Sequence, residues 1–130
     1  GCGEALLADT DRLRRYVGGA AETGATVSVK VRAEVEGVSL PETATRIARA
    51  GADAIHVDAM DSESVIADVA DATDLFVIAN NGVRDRETAR EYLQHGADAV
   101  SVGRASDRPA VLSAVRTATV DWFDPREVEA

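Results

Sequence analysis

The phrase Gly-Ala-Asp-Ala-aliphatic-X-Val occurs twice in this chain, at residues 51–57 and 96–102. Each copy follows a segment with helical periodicity and opens a short run rich in Val or Ile. Two similar apolar runs lie at 26–32 and 75–80, and helical patterns separate all of these runs. Strands that alternate with helices predict right-handed crossovers and a parallel sheet. We therefore interpret the repeat mainly as the turn from a helix into the next strand.

The predicted order of elements is α-β-α-β-α-β-α-β-α, with strands at 26–32, 54–59, 75–80 and 98–103. Helical patterns cover about residues 10–23, 39–51, 61–73, 84–96 and 108–118. Ser39 with Glu42 three residues later predicts a capping box, and a similar helix start is expected at Asp61 or Ser62. Residues 1–130 are predicted to form one α/β segment that ends in a short tail at 119–130.

The charge of the chain is strongly acidic, with 23 acidic against 14 basic residues and a net charge of −9. Lys30 is the only lysine, and such an acidic, lysine-poor composition predicts a halophilic protein, whose carboxylates stay hydrated in high salt. It also argues against a broad basic surface for nucleic acid. A run of about 18 apolar residues is absent, so no membrane span is predicted. The lone Cys2 fits a reducing cytoplasm.

Side-chain alternation places polar or very small residues on one common face of three predicted strands. Lys30 and Arg32 share a side of the first strand, and His56 and Asp58 share a side of the second. Ser101 and Gly103 occupy the matching side of the last strand. A doubly wound sheet buries both faces and is more uniformly apolar. The pattern therefore favours the interior of a (β/α)8 barrel near its mouth, and a whole barrel needs about 250 residues.

Two turns at strand ends predict a phosphate site. Asn80 is followed by the Asn81-Gly82 turn, and Gly103-Arg104 follows the next strand. Exposed amides, a close backbone approach at glycine and an arginine charge all suit a phosphate group. Plain βα turns remain the alternative interpretation, as does a lysine that merely extends from a strand edge at Lys30.

His56 and Asp58 are either a site or a hydrogen-bonded interior pair. The spacing of His56 and His95 does not suit zinc, so no metal site is predicted. Walker and Gly-x-Ser-x-Gly motifs are absent from the sequence.

Five segments together resemble the C-terminal half of tRNA-dihydrouridine synthases, which are FMN-dependent (β/α)8 barrels: "GCGEALLADTDRL", "VSVKVR", "GADAIHVDAM", "VIANNGVRD" and "GADAVSVGRA". The resemblance covers about residues 1–106. It implies hydride transfer through FMN, with NADPH as reductant and tRNA as the substrate of the full-length protein. It also implies a set of cofactor-binding residues: Lys30 and Asp58 at the flavin, and Asn80, Asn81, Gly82, Gly103 and Arg104 at its ribityl and phosphate end.

The chain departs from this family at two points. The family's strand-end histidine falls on Asp58, with His56 two residues earlier, and an ionised carboxylate cannot donate a hydrogen bond as imidazole does. The family's catalytic cysteine lies in an upstream Asn-x-Gly-Cys-Pro segment, which Cys2 does not match. No catalytic residue is assigned within this segment, so enzyme activity is expected only when the N-terminal half is supplied.

Two other functions remain open, namely an FMN barrel of the dihydroorotate dehydrogenase type and a catalytically silent half-barrel. The silent form would bind a phosphorylated ligand or act as a scaffold. Because four strands are half of a barrel and leave two unpaired edges, a partner is expected. The chain is either the C-terminal half of a longer protein or pairs with another half-barrel, as in a homodimer.

Overall fold

The computed structural model describes residues 2–124. Helices and strands alternate along the chain after two initial helices. The elements are α1 (Cys2–Ala8), α2 (Thr10–Ala21), β1 (Ser28–Arg32), α3 (Leu40–Ala50), β2 (Ala54–Asp58), α4 (Val65–Ala72), β3 (Phe76–Asn80), α5 (Arg86–Gln94), β4 (Ala99–Ser101) and α6 (Pro109–Phe123). A short 3-10 turn, Arg104–Asp107, lies between β4 and α6.

The four strands form one all-parallel sheet in the order β1-β2-β3-β4. Successive strands are neighbours, and a helix joins each strand to the next. This is the arrangement of half a (β/α)8 barrel, and it confirms the predicted α/β class with about four strands and flanking helices. The valines and isoleucines of one sheet face pack with the helices into a single apolar core; they are Val29, Val31, Ile55, Val57 and Val77.

The aspartate in each copy of the repeated phrase makes the same pair of hydrogen bonds. Asp53 donates its backbone N–H to the carbonyl of Val27 at 2.8 Å, and its Oδ2 accepts from the N–H of Val27 at 2.8 Å. Asp98 makes the same pair of bonds with Val77, each at 2.8 Å. Each aspartate therefore fixes the start of its own strand against the preceding strand of the sheet.

The glycine of each copy ends a helix in the left-handed region, with φ +113 at Gly51 and φ +107 at Gly96. Both also lie close to the preceding helix. A Cβ on Gly51 would lie 2.7 Å from Ala21 Cβ, and one on Gly96 would lie 3.1 Å from Ala70 Cβ. Backbone conformation and close packing both require glycine, which confirms the interpretation of the phrase as a helix-to-strand turn.

Helix starts agree with the prediction at α3 and differ at α4. Ser39 caps α3 by accepting from the N–H of Glu42 at 3.5 Å, which is one of the two bonds of the predicted capping box. The predicted start of α4 at Asp61 or Ser62 is wrong, because α4 begins at Val65. The Ser62 hydroxyl donates instead to Glu34 at 2.8 Å, so it holds a loop together and does not cap the helix.

The two ends of the chain hold more helix than the sequence predicts. The segment 2–8 forms α1, which buries Leu7 although it is only seven residues long. At the other end, α6 continues past residue 118 to Phe123. Its last turns are held to α5 by an ion pair of 3.3 Å between Arg86 and Asp121, and by the Arg90 guanidinium over the Trp122 ring. The predicted tail 119–130 is thus helical at its start, and 125–130 lie outside the described residues.

Candidate functional site at the carboxyl end of the sheet

Polar residues form two rows across the sheet face that the helices leave open. Strand register places Arg32 opposite Asp58, Asp58 opposite Asn80, and Asn80 opposite Ser101. One step toward the amino end, Lys30 lies opposite His56. The alternating Val29, Val31, Ile55 and Val57 are buried on the helix side. The prediction that Lys30 and Arg32 share a face with His56 and Asp58 is therefore confirmed.

A cavity of about 440 Å³ opens beside β1, with Lys30, Arg32 and Asp58 in its wall. Arg32 is already engaged there, since its Nη1 donates to Glu4 at 3.0 Å and its Nε lies 3.2 Å from the Met60 sulfur. Lys30 is exposed, and no group within residues 2–124 forms a hydrogen bond or ion pair with its ammonium. Of the two cations in the cavity wall, Lys30 is thus the one free to meet a ligand.

Helix α1 supplies a side of this cavity that the sequence interpretation did not include. Gly3, Glu4 and Leu7 line it. The sequence did contain a helical spacing here, because Glu4 and Leu7 are three residues apart and so share a helix face. Seven residues are too few for helical periodicity to be convincing, which is why α1 was not predicted.

His56 lies on the inner face between Lys30 on β1 and Ile78 on β3. Burial lowers the pKa of His56, and the nearby Lys30 charge lowers it further, while the Asn80 side chain and the Asp58 carboxylate raise it more weakly. The net pKa is below the ordinary value of 6.5, so the imidazole is neutral at neutral pH. The site thus combines a free ammonium, a neutral imidazole and a carboxylate on adjacent strand positions.

The turns after β2 and β3 are held to each other. Asn81 donates from Nδ2 to the carbonyl of Met60 at 2.6 Å. Both residues have positive φ, +103 at Asn81 and +52 at Met60, which is uncommon for residues other than glycine. Asp58 Oδ1 accepts from the N–H of Met60 at 3.2 Å. The carboxyl ends of the two strands are therefore fixed before any ligand binds.

Tyr92 of α5 forms a hydrogen bond with the same turn. Its hydroxyl donates to the carbonyl of Asn81 at 2.7 Å, and burial raises the pKa of Tyr92 to about 12. Sequence reasoning missed Tyr92, although a buried tyrosine commonly directs its hydroxyl to a backbone partner.

The Asn81-Gly82 turn is acidic on the side that faces the segment after β2. A cavity of about 200 Å³ there is lined by Asp61, Glu63 and Glu91. Arg84 also lines it, but its Nη1 donates to the carbonyl of Gly82 at 2.8 Å. Three carboxylates disfavour an anion in this cavity. The β4 side of the turn lies away from these carboxylates, because β4 is on the opposite side of β3 from β2.

Gly103 and Arg104 follow β4, next to that side of the turn, because Asn80 and Ser101 are register partners. Both residues are exposed, and a Cβ on Gly103 would meet no atom within 4 Å. The segment that follows is a four-residue 3-10 turn, whereas α6 begins only at Pro109. The start of α6 agrees with the predicted last helix at about residue 108. The corner after β4 therefore offers the exposed backbone of Gly103 and the arginine, with α6 beginning five residues further on.

The fold and the site define a class of protein. A parallel half-barrel with helices on one face and polar residues at the carboxyl end of the other belongs to the (β/α) barrels that bind ligands at this end. The sequence matches the family model described as dihydrouridine synthase over residues 1–129. The chain therefore belongs to the dihydrouridine synthase family. It is of that family's general class, the oxidoreductases of tRNA processing.

No individual curated protein matches the chain at a significant level. Among residues 2–124, no helix is both long and apolar enough to cross a membrane.

Proposed function

We propose that the chain is the FMN-binding half of a tRNA-dihydrouridine synthase, which reduces uridine in tRNA with NADPH. The ammonium of Lys30, which lies on β1 in the wall of the cavity and has no partner among residues 2–124, is the observation that carries the proposal. The only lysine of this acidic chain lies in a cavity wall without a partner among the described residues, which a ligand with carbonyl or anionic oxygens would explain well. We expect the protein to be cytoplasmic, with its tRNA substrate.

The residues of the inner face fit FMN in chemistry. Lys30 would bind the flavin ring, because its three N–H donors have no other partner within the described residues. Asp58 has one carboxylate oxygen bonded to Met60 N–H, and the other, which has no hydrogen-bond partner within residues 2–124, can accept from a hydroxyl or ring N–H of the cofactor. When bound, FMN supplies hydride transfer, while these residues bind and orient it.

The phosphate end would lie at the two turns after β3 and β4. Asn80, Asn81 and Gly82 offer amides fixed by the bonds to Met60 and Tyr92. Gly103 offers open space, and Arg104 offers a charge that is not balanced by an ion pair in the described structure. The acidic cavity on the other side of the Asn81-Gly82 turn supports this placement, because it repels an anion from the alternative position.

The test uses the full-length protein in its native form. Its absorbance spectrum is recorded, and NADPH oxidation is followed with unmodified tRNA and, separately, with the dihydroorotate–orotate pair. We expect a flavin spectrum, FMN in the released cofactor and dihydrouridine in the tRNA product. A flavin spectrum with turnover only of dihydroorotate would contradict the substrate assignment.

A Lys30→Met variant addresses the residue that carries the proposal. It keeps the length of the side chain and removes the charge, so FMN should bind about tenfold more weakly. Arg46→Met, on the outer surface of α3, is the matched control and should leave the affinity unchanged. If the protein binds inorganic phosphate but never flavin, the chain is a silent half-barrel and the proposed function is wrong.

A further inference from the structure

Two buried polar atoms on the inner face have no hydrogen-bond partner among the described residues, namely His56 Nε2 and Asn80 Oδ1. Buried polar atoms are nearly always paired, because leaving one unpaired forfeits its hydration without compensation. They belong to adjacent strands of the same sheet face. Ile78 is the register partner of His56, and Asn80 lies two residues further along β3 on the same side.

The two atoms are chemically complementary. An amide oxygen can only accept a hydrogen bond, and a ring nitrogen that carries the proton donates one. The Asn80 side chain also raises the pKa of His56, so the two groups lie within range of interaction. Asn81, by contrast, already has its amide committed to Met60. Asn80 is therefore the asparagine of this turn whose amide orientation is left to a neighbouring side chain.

We propose that His56 is a positioning residue, whose Nε2–H donates to Asn80 Oδ1 after a rotation of the two side chains and thereby directs Asn80 Nδ2 toward the ligand at the mouth. The identity of that ligand as FMN rests on the proposed function, but the pairing of His56 with Asn80 does not. Pairing with His56 would hold the Asn80 side chain in one orientation, so that its Nδ2 is a fixed hydrogen-bond donor. An unpaired amide could rotate and would not be fixed in this way.

This role needs the neutral tautomer of His56 with its proton on Nε2. Lys30 on β1 and Asp58 on β2 are the titratable groups near the ring, while β3 presents Ile78 and Asn80. Because the ring is neutral, it carries one proton. Nε2 is the buried ring nitrogen without a partner among the described residues, and a proton on it can be donated to Asn80 Oδ1.

The first experiment observes the ring itself. Long-range ¹⁵N–¹H spectra of the ¹⁵N-labelled protein at neutral pH report the tautomer of His56, with His95 as the internal comparison. We expect the neutral Nε2–H form, and a shift of the Asn80 side-chain NH₂ signals in a His56→Phe variant. An Nδ1–H tautomer, an imidazolium or unmoved Asn80 signals would overturn the pairing. This readout needs no flavin, so it stands even if the proposed function fails.

The second experiment measures FMN affinity in the full-length protein. His56→Phe keeps a ring without a donor and should lose about tenfold in affinity, whereas His56→Gln keeps an N–H near Nε2 and should lose about threefold or less. His95→Phe, at the end of α5, is the control and should change nothing. In an Asn80→Ala background, His56→Phe should cost no further affinity. Equal losses in Phe and Gln, or additive losses with Asn80→Ala, would show that His56 acts only through packing.

Discussion

At the residue scale, Asp53 and Asp98 are the two aspartates of the repeated phrase that bond to a neighbouring strand. The sequence was sufficient to interpret the phrase as a helix-to-strand turn, because glycine after a periodic segment and an apolar run after the aspartate are local signals. The bonds of Asp53 to Val27 and of Asp98 to Val77 were not predictable. They join residues 26 and 21 positions apart, and only the strand pairing brings them together.

Replacing Asp53 with alanine should lower the free energy of unfolding by about 1 kcal/mol, because the N–H of Val27 loses its side-chain acceptor. Asp98→Ala should cost a similar amount through Val77. Asp53→Asn retains an acceptor oxygen and should cost less than half as much. Asp71→Ala, on the exposed surface of α4, is the control for loss of a charge. Urea unfolding measures all four variants, and equal effects of Asp53→Ala and Asp71→Ala would rule out the strand-start role.

Arg104 and Gly103 are the residues by which the proposed phosphate site can be examined. A charged hydrogen bond contributes about 1.5–3 kcal/mol, and each 1.4 kcal/mol is one decade in affinity. Arg104→Ala should therefore weaken FMN or phosphate binding by about tenfold or more. Gly103→Val should be at least as harmful, because its side chain would occupy space now open to a ligand. Calorimetric titration of the full-length protein measures both.

Arg116→Ala, an exposed arginine of α6, is the control for a general loss of positive charge. It should leave binding unchanged. If Arg104→Ala and Gly103→Val both bind FMN as the parent protein does, the phosphate does not lie between the two turns.

Whole elements show where local sequence signals were sufficient and where they were not. Helix α3 was predicted closely, because Ser39, Pro41 and Gly51 mark its ends within the chain itself. The start of α4 was misplaced, because Ser62 is engaged by Glu34, a residue distant in sequence. The end of α6 was placed too early for a similar reason, since Arg90 and Arg86 of α5 hold its last turns.

The two glycines that end α3 and α5 should differ in their tolerance to alanine. Both need a left-handed backbone, which costs an alanine about 1–2 kcal/mol. Gly51→Ala should cost more than Gly96→Ala, because its Cβ would lie at 2.7 Å from Ala21 Cβ rather than at 3.1 Å from Ala70 Cβ. Thermal and urea unfolding provide the comparison.

Gly19, in the last turn of α2, provides the opposite control. Gly19→Ala should raise stability by about 0.5–1 kcal/mol, because a Cβ there meets no atom within 4 Å and the helix backbone is favourable.

Adding Ala21→Gly to Gly51→Ala should recover the part of the stability loss that is due to overlap with Ala21 Cβ and leave the part that is due to the positive φ. If the double variant recovers nothing, the contact with α2 is not the reason for glycine at this position.

The whole molecule has one sheet face covered by helices and one face open. On the open face, Phe76 is 50% exposed at the amino end of β3, beside the polar rows of the site. Strands β1 and β4 each have only one neighbour in the described sheet, so two strand edges are unpaired. The half-barrel could be predicted from the number of strands and the polar face. Its partner could not, because the unpaired strand edges can form hydrogen bonds equally well with a different half-barrel or with a second copy of this chain.

The open face and the unpaired edges should make this 130-residue chain associate in a salt-dependent way. Closing a barrel would bury Phe76 and pair both edges, but it would bring together two chains that each carry a net charge of −9. At about 0.1 M salt the Debye length is about 10 Å, and at about 1 M it falls to about 3 Å, so repulsion weakens while apolar burial is retained. Sedimentation velocity in KCl should therefore show monomer at the lower concentration and a growing dimer fraction at the higher one. Phe76→Asp should abolish the dimer, and Tyr16→Asp, on the outer surface of α2 and 60% exposed, should not. A dimer that survives Phe76→Asp, or that dissociates as salt rises, would place the contact elsewhere than on the open face.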